Sequence, residues 1–285
     1  MTAEKQGVHT AAFFWPGTAT KIGGVRPTYW YEYDGSVPNA TRIDQVLTWL
    51  DLPESRRPRL ITTYFSITDD VGHEYGPDSP EIVAAIQEID GLIGRLLHGL
   101  RQRDLLDRVN VIIVSDHGMC PISPEHVVYL DDYIDMQDVD VVDWNPVAAL
   151  NPAPGKESKV YRALVHANPH MEVYRKSEVP VRFHYRENPR IPKIVAIAQE
   201  GWSITSHSTV KPHYVSGGNH GFDNRLESMG AIFIAFGPAF RSGLTVEPFQ
   251  NIHIYELMAH ILGLRPAPND GSLDSVKVML RQDAH

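Results

Sequence analysis

Two short stretches of this chain set carboxylates beside imidazoles, Asp69-Asp70-Val71-Gly72-His73 and Ser115-Asp116-His117-Gly118, and a third, Gly217-Gly218-Asn219-His220-Gly221, frames an imidazole with glycines. The first two each follow an apolar run, residues 60–66 and 109–114. In a parallel α/β sheet, functional groups collect just past the carboxyl ends of the strands. Asp116 and His117, side by side at such an end, can both reach a metal, with Gly118 turning the backbone. Taken alone, the same residues describe an Asx-type turn with a solvated histidine equally well. Asp69 and His73 stand four apart, and with Gly72 between them the spacing reads as a tight loop. Glycines on both sides of His220 present its imidazole from a loop. Carboxylate and imidazole without thiolate suit a catalytic rather than a structural zinc, because structural sites are closed by four protein ligands. Five such residues exceed one open site and point to two zinc ions. Metals about 3.5–4 Å apart clamp the attacking and leaving oxygens of an in-line phosphoryl displacement.

The elements that must position these groups read as an α/β alternation. Residues 8–15 form an apolar strand closed by Pro16-Gly17, followed by an aromatic cluster of Tyr29, Trp30, Tyr31 and Tyr33. Such rings can stack on a flat ligand such as a base; residue by residue, two facing a core and two covering a loop account for them as well. Ile43, Val46, Leu47 and Leu50 recur at helical spacing over residues 39–52. After the strand at 60–66, Ser79-Pro80-Glu81 opens a second helix with a cap, a proline at the first position and an acid in the first turn. Its apolar stripe is Ile82, Ile86, Ile89, Ile93 and Leu100, and it leads as a βαβ crossover into residues 109–114, a β-branched run expected to be buried on both faces. Prolines then punctuate residues 140–205, read as an inserted α+β lobe with one helix at 156–165, whose His166, His170 and His184 are structural or surface residues. A further buried strand at 231–236 follows the His220 loop, and a last helix at 251–262 is stopped by Gly263.

Bulk composition narrows the function classes. The chain has 285 residues, 42% of them hydrophobic, which is enough for one large α/β domain with a real core. A net charge of -9 argues against a nucleic-acid-binding surface, which needs a basic face. It does not argue against a nucleotide, because bound metals bring their own positive charge. The single cysteine, Cys120, excludes an internal disulfide and a thiolate zinc cluster. No run is apolar and long enough to span a membrane, and the first residues lack the charged and apolar regions of an export signal.

The chain resembles the catalytic domain of the nucleotide pyrophosphatase/phosphodiesterase family, in the alkaline phosphatase superfamily. The matching pieces are Thr2-Ala-Glu-Lys-Gln-Gly7, Phe14-Trp-Pro-Gly17, Asp69-x-x-Gly-His73 with Gly76-Pro77, Ser115-Asp-His-Gly-Met119, Gly218-Asn-His-Gly221 and Val246-Glu-Pro-Phe249. They are spread over nearly the whole chain in the family's order. The resemblance implies an alkaline phosphatase-like α/β core with a mostly parallel central sheet flanked by helices. It also implies two zinc ions, one held by Asp69, His73 and His220 and the other by Asp116 and His117. Trp30 and Tyr29 become candidates for base stacking and Asn219 for a supporting contact. The implied activity is cleavage of phosphodiester or pyrophosphate bonds of nucleotides, releasing nucleoside 5'-monophosphates, in an exported or surface-facing protein.

In the family, a further Asp ligand and a Thr or Ser nucleophile at a helix start precede the Thr-Ala-Glu-Lys-Gln-Gly motif. The expectation is therefore a single truncated catalytic domain over residues 1–285, lacking one strand and the nucleophile helix, with an apolar sheet edge exposed. None of Ser66, Thr68 or Ser115 is expected to open a helix and replace the nucleophile. Two rival readings follow: a phosphomonoesterase or phospholipid-headgroup hydrolase of the same superfamily, and an inactive metal-binding remnant.

Overall fold

The computed structural model describes residues 1–211 and 215–282. The chain divides into two compact units, one of Met1–Ser66, Ile86–Asp116 and Phe233–His285, the other of Ile67–Ala85 and His117–Ile232.

The first unit contains a parallel sheet in the order Tyr29–Trp30, Thr10–Phe13, Leu60–Thr63. Its central strand is buried along its whole length, as an apolar strand with neighbours on both sides should be. Helix Asn39–Leu50 buries Ile43, Val46 and Leu50 of the expected stripe, together with Arg42 and Trp49, while Leu47 is half-buried. Helix Pro80–Gln102 begins where expected, with the Ser79 hydroxyl accepting the N–H of Ile82 at 3.2 Å. Its expected stripe is corrected at Ile86, which is 55% exposed, while Leu92, Gly99 and Leu100 are buried. A β-carbon on Gly99 would clash with the Leu47 side chain, so the helices meet where the smallest residue lies, and this rotates Ile86 outward. Two bidentate pairs fasten the same helices: Arg95 donates to both Asp44 oxygens at 2.8 Å, and Arg103 to both Asp51 oxygens at 2.7 Å. The hydrogen bonds from Arg103 hold the Asp51 carboxyl below its ordinary range.

The strand Val111–Val114 pairs antiparallel with Phe233–Phe236 rather than directly with Leu60–Thr63. It is half-buried rather than buried on both faces. The expectation of a buried strand at 231–236 is likewise corrected, since Ile232 and Ile234 are 53% and 48% exposed. Phe233 and Ala235 pack on Leu257, Val276 and Met279 while Ile234 faces out, the alternation of an antiparallel pair with one covered face. The last helix is His253–Ile261, and Gly263 follows it with φ of 66°.

The Thr-Ala-Glu-Lys-Gln-Gly motif proves to be a fastener. The Glu4 carboxylate accepts the backbone N–H and hydroxyl of Thr10 and of Thr28, four bonds of 2.7–2.9 Å, and so ties the entries of two strands together. Gln6 exchanges two hydrogen bonds with the backbone of Arg265, at 2.8 and 3.0 Å.

The second unit is built around a buried cluster of Cys120, Leu130, Leu150, Leu164, Ile194 and Ile204, among others. A four-stranded antiparallel sheet runs Val139–Asp143, Val147–Pro152, Ile194–Ala198, Met171–Arg175, with helix Glu157–Leu164 in its connections. Strand Cys120–Ile122 pairs antiparallel with Gly217–Asn219, and Val127–Tyr129 pairs parallel with Ser203–Thr205. His166 and His184 are exposed, with positive φ, and His170 stacks on Trp202 at 3.6 Å.

Glu4 generates a test of the first unit. Burial disfavours its charge, but the hydrogen bonds from Thr10 and Thr28 together outweigh that and hold the carboxyl below its ordinary value of 4.5. A depressed carboxyl contributes stability above the unfolded value and loses it as pH falls through the folded one. Glu4→Gln is therefore expected to lower the melting temperature by several degrees at pH 7. The gap from the parent should narrow as the pH drops below 4.5. A gap of constant size across that range, in thermal melts followed by circular dichroism, would refute this role.

Candidate metal centre

Asp69 and His73 lie on helix Ile67–Tyr75, not in a loop as expected. Gly72 costs a helix about 1 kcal/mol, yet the helix packs closely here: a β-carbon on Gly218 would collide with the Gly72 carbonyl and one on Gly217 with the His73 carbonyl, while one on Gly72 would press on Met119. The helical form sets Asp69 and His73 on one face, one turn apart. It also corrects the expectation for Ser66 and Thr68: Ser66 immediately precedes this helix and Thr68 sits in its first turn.

His220 is delivered by strand register. Asn219 pairs with Cys120 across the antiparallel bridge, so His220, just after one strand, and His117, three residues before the other, emerge at the same end. Their rings stack 3.5 Å apart at 14°. Gly118 is required by close approach rather than by turning. A β-carbon there would collide with the carbonyl oxygens of Ser228 and Gly230, and the Gly118 N–H donates to the Met229 carbonyl at 3.2 Å.

The three imidazoles converge on one oxygen. Asp69 Oδ1 lies 3.5 Å from Nε2 of His220, 3.6 Å from Nε2 of His73 and 3.9 Å from Nε2 of His117. That oxygen is buried and accepts no hydrogen bond, a state that carries a desolvation penalty unless a cation meets it. Ligands about 2.0–2.1 Å from a tetrahedral zinc stand roughly 3.3–3.4 Å from one another. The observed spacings are therefore those of groups arranged around an ion. The His73 Nδ1 donates to the Gly218 carbonyl and the His117 Nδ1 to the Gly118 carbonyl, both at 2.9 Å. Because a carbonyl can only accept, both rings carry a proton on Nδ1, which leaves Nε2, the nitrogen facing Asp69, as the one to ligate a metal. Asp69, His117 and His220 form a group able to hold a metal ion, their ligand atoms all within 4.8 Å of one another.

The remaining expected residues lie as follows. Asp116 is exposed and is the last residue of the first unit's middle segment. Asn219 is 9% exposed and its Oδ1 accepts the N–H of His220 at 2.9 Å, so it supports the backbone that carries the imidazole. Tyr29 and Trp30 are half-buried in the first unit. The Tyr29 hydroxyl donates to the Arg56 carbonyl, and the Arg26 guanidinium covers the Trp30 ring at 4.3 Å. Tyr31 and Tyr33, beside them in sequence, are 44% and 57% exposed. The Tyr33 hydroxyl donates to Ser66 Oγ at 3.3 Å.

Comparison with known proteins gives a consistent picture. Residues 1–223 match the type I phosphodiesterase / nucleotide pyrophosphatase family. The chain is 39% identical over 280 residues to human ectonucleotide pyrophosphatase/phosphodiesterase family member 5, covering 98% of this chain and 58% of that protein. It is 38% identical over 295 residues to the venom phosphodiesterase CdcPDE of Crotalus durissus collilineatus, covering 98% of this chain and 34% of the venom protein. The chain thus spans about a third to three fifths of the length of these relatives. The solved structure of murine ectonucleotide pyrophosphatase/phosphodiesterase 5 superposes with a TM-score of 0.93 at 38% identity, over 98% of this chain and 74% of that one. An inactive threonine-to-alanine variant of the murine protein in complex with AMP superposes equally well.

Two substitutions probe the centre. His220→Ala is expected to abolish tight uptake of one zinc equivalent, measured by metal analysis after dialysis, and retention of full stoichiometry would remove His220 from the set. Gly118→Ala is expected to lower both thermal stability and zinc uptake, whereas a surface glycine with open space around it, such as Gly94, should accept alanine without loss.

Proposed function

The chain belongs to the type I phosphodiesterase / nucleotide pyrophosphatase family, and from that premise we propose that it works as a zinc-dependent hydrolase of nucleotide phosphodiester or pyrophosphate bonds. The observation that carries this reading is the buried Asp69 oxygen, unpaired by any hydrogen bond and faced by three imidazole nitrogens. In this proposal Asp69, His73 and His220 hold one zinc ion, and His117 with Asp116 contributes to a second. Bound zinc supplies positive charge to phosphoryl oxygens and lowers the pKa of a bound water.

The chain's own residues do the rest. Asp69 brings the negative charge that a dication needs and keeps it out of bulk water. The carbonyls of Gly218 and Gly118 fix the tautomers of His73 and His117 before any ligand arrives. Asn219 holds the backbone at His220. In the first unit, Tyr31 and Tyr33 are the exposed members of the aromatic cluster, Tyr31 resting on Phe13 and Trp49 and Tyr33 on Phe14 and Tyr64. The AMP complex of the murine relative supports a nucleotide as ligand.

The test is hydrolysis of the nitrophenyl ester of thymidine monophosphate by the zinc-loaded chain, beside nitrophenyl phosphate as the monoester. Turnover of the diester in preference to the monoester is expected, abolished by chelation and restored by zinc. Asp69→Asn should lower kcat/KM at least 100-fold, about 2.7 kcal/mol of transition-state stabilisation. An unchanged rate in that variant, or no turnover by the zinc-loaded chain, would overturn the proposal.

A further inference from the structure

The acidic total conceals a basic pocket in the second unit. Residues 175–193 carry six cations (Arg175, Lys176, Arg182, Arg186, Arg190 and Lys193) against two carboxylates, Glu178 and Glu187, in a chain whose net charge is -9. Four of those cations line one cavity of about 270 Å³, together with Ser177 and Glu157. The cavity is open to solvent, and its volume lies below the roughly 300–1,000 Å³ of sites for drug-sized molecules.

Strand pairing forces the charges together. Ile194 stands opposite Arg175, and the Lys176 N–H donates to the Lys193 carbonyl at 2.8 Å, so two lysines are paired through their backbone at the sheet end and both line the cavity. Like charges directly opposite are destabilising, and a bound anion removes that penalty. Carboxylates pair three of the four lining cations, Arg175 firmly with Glu178 at 3.1 Å and Arg186 and Lys193 loosely, while the Lys176 ammonium is bonded to a neutral carbonyl. Glu157 reaches Lys193 at 3.6 Å, and Glu187, 89% exposed, reaches Arg186 at 3.4 Å; exposed pairs of this kind contribute little. Arg175 is tied to Glu178 at 3.1 Å and packs over the Tyr161 ring at 3.8 Å, so it forms a fixed wall. Lys176 donates to the Asn188 carbonyl at 2.5 Å and keeps two further donor hydrogens. Arg186 offers a planar fork matched to an oxyanion, and Ser177 a hydroxyl donor.

We infer that this pocket of Arg175, Lys176, Ser177, Arg186 and Lys193 binds a phosphate dianion, either free or as the terminal group of a phosphomonoester. The site uses none of the residues assigned to the metal centre, and the inference stands or falls independently of the hydrolase reading.

The experiment titrates the whole chain, stripped of metal by chelation and dialysed into phosphate-free buffer, with inorganic phosphate by calorimetry at low salt. Saturable binding at one site is expected, weakened at least tenfold in Lys176→Gln/Lys193→Gln and in Arg186→Gln, with the melting temperature of the ligand-free chain held. Lys277→Gln, an exposed lysine of the first unit, should leave binding unchanged. AMP binding as tightly as phosphate while adenosine does not bind would identify a phosphomonoester as an accepted form; phosphate binding without AMP binding would identify the free ion. No saturable binding, equal affinity in both pocket variants, or comparable binding of adenosine would overturn the inference.

Discussion

A carboxylate oxygen taken out of water without a hydrogen-bond donor is among the costlier features a folded chain can carry, and Asp69 Oδ1 is in that state. Three Nε2 atoms surround it at 3.5–3.9 Å, too far to satisfy it well and at the spacing of ligands about an ion. The arrangement makes sense as a preorganised cation site. The carbonyls of Gly218 and Gly118 point the same way, because by engaging Nδ1 they hold two rings with Nε2 inward.

The second unit is shaped to maintain that geometry through close backbone approach. Helix Ile67–Tyr75 can lie on strand Gly217–Asn219 only because Gly217 and Gly218 carry no side chains where the backbone carbonyls of His73 and Gly72 sit. Gly118 likewise lies against the carbonyls of Ser228 and Gly230. The conserved volume of a packed interior leaves no room to absorb a methyl group at such points. Gly217 and Gly218 thus set the distance between the segments that carry His73 and His220, and the bridge from Asn219 to Cys120 sets the register between those that carry His220 and His117.

The first unit relies on polar fasteners around a small parallel sheet. Glu4 gathers four donors from two strand entries, Gln6 clasps Arg265, and two arginine–aspartate forks join the long helices. Outside these, Val111–Val114 and Leu60–Thr63 each have a single strand neighbour among the described residues and are only half-buried along their length. That leaves backbone donors and acceptors along open edges, the usual liability of sheet margins.

Residue types and spacing alone determined a good deal. The helix caps at Ser79-Pro80 and Gly263 and the strand expected over 60–66, of which Leu60–Thr63 forms, are local properties, set by side-chain identity and short-range backbone preference. The Asp69–His73 spacing was legible as a pair but not as a helix. Gly72 lowers local helix propensity, and only packing against Met119 and Gly218 restores it. Burial was misread at Ile86 and Ile234 for a related reason: periodicity shows that a face exists, while the neighbour that covers it comes from elsewhere in the chain. The convergence of Asp69, His117 and His220, separated by 48 and 103 residues in sequence, was decided by tertiary structure alone. Antiparallel register and glycine-to-backbone contacts are long-range constraints, and no local pattern in the chain encodes the distances they impose.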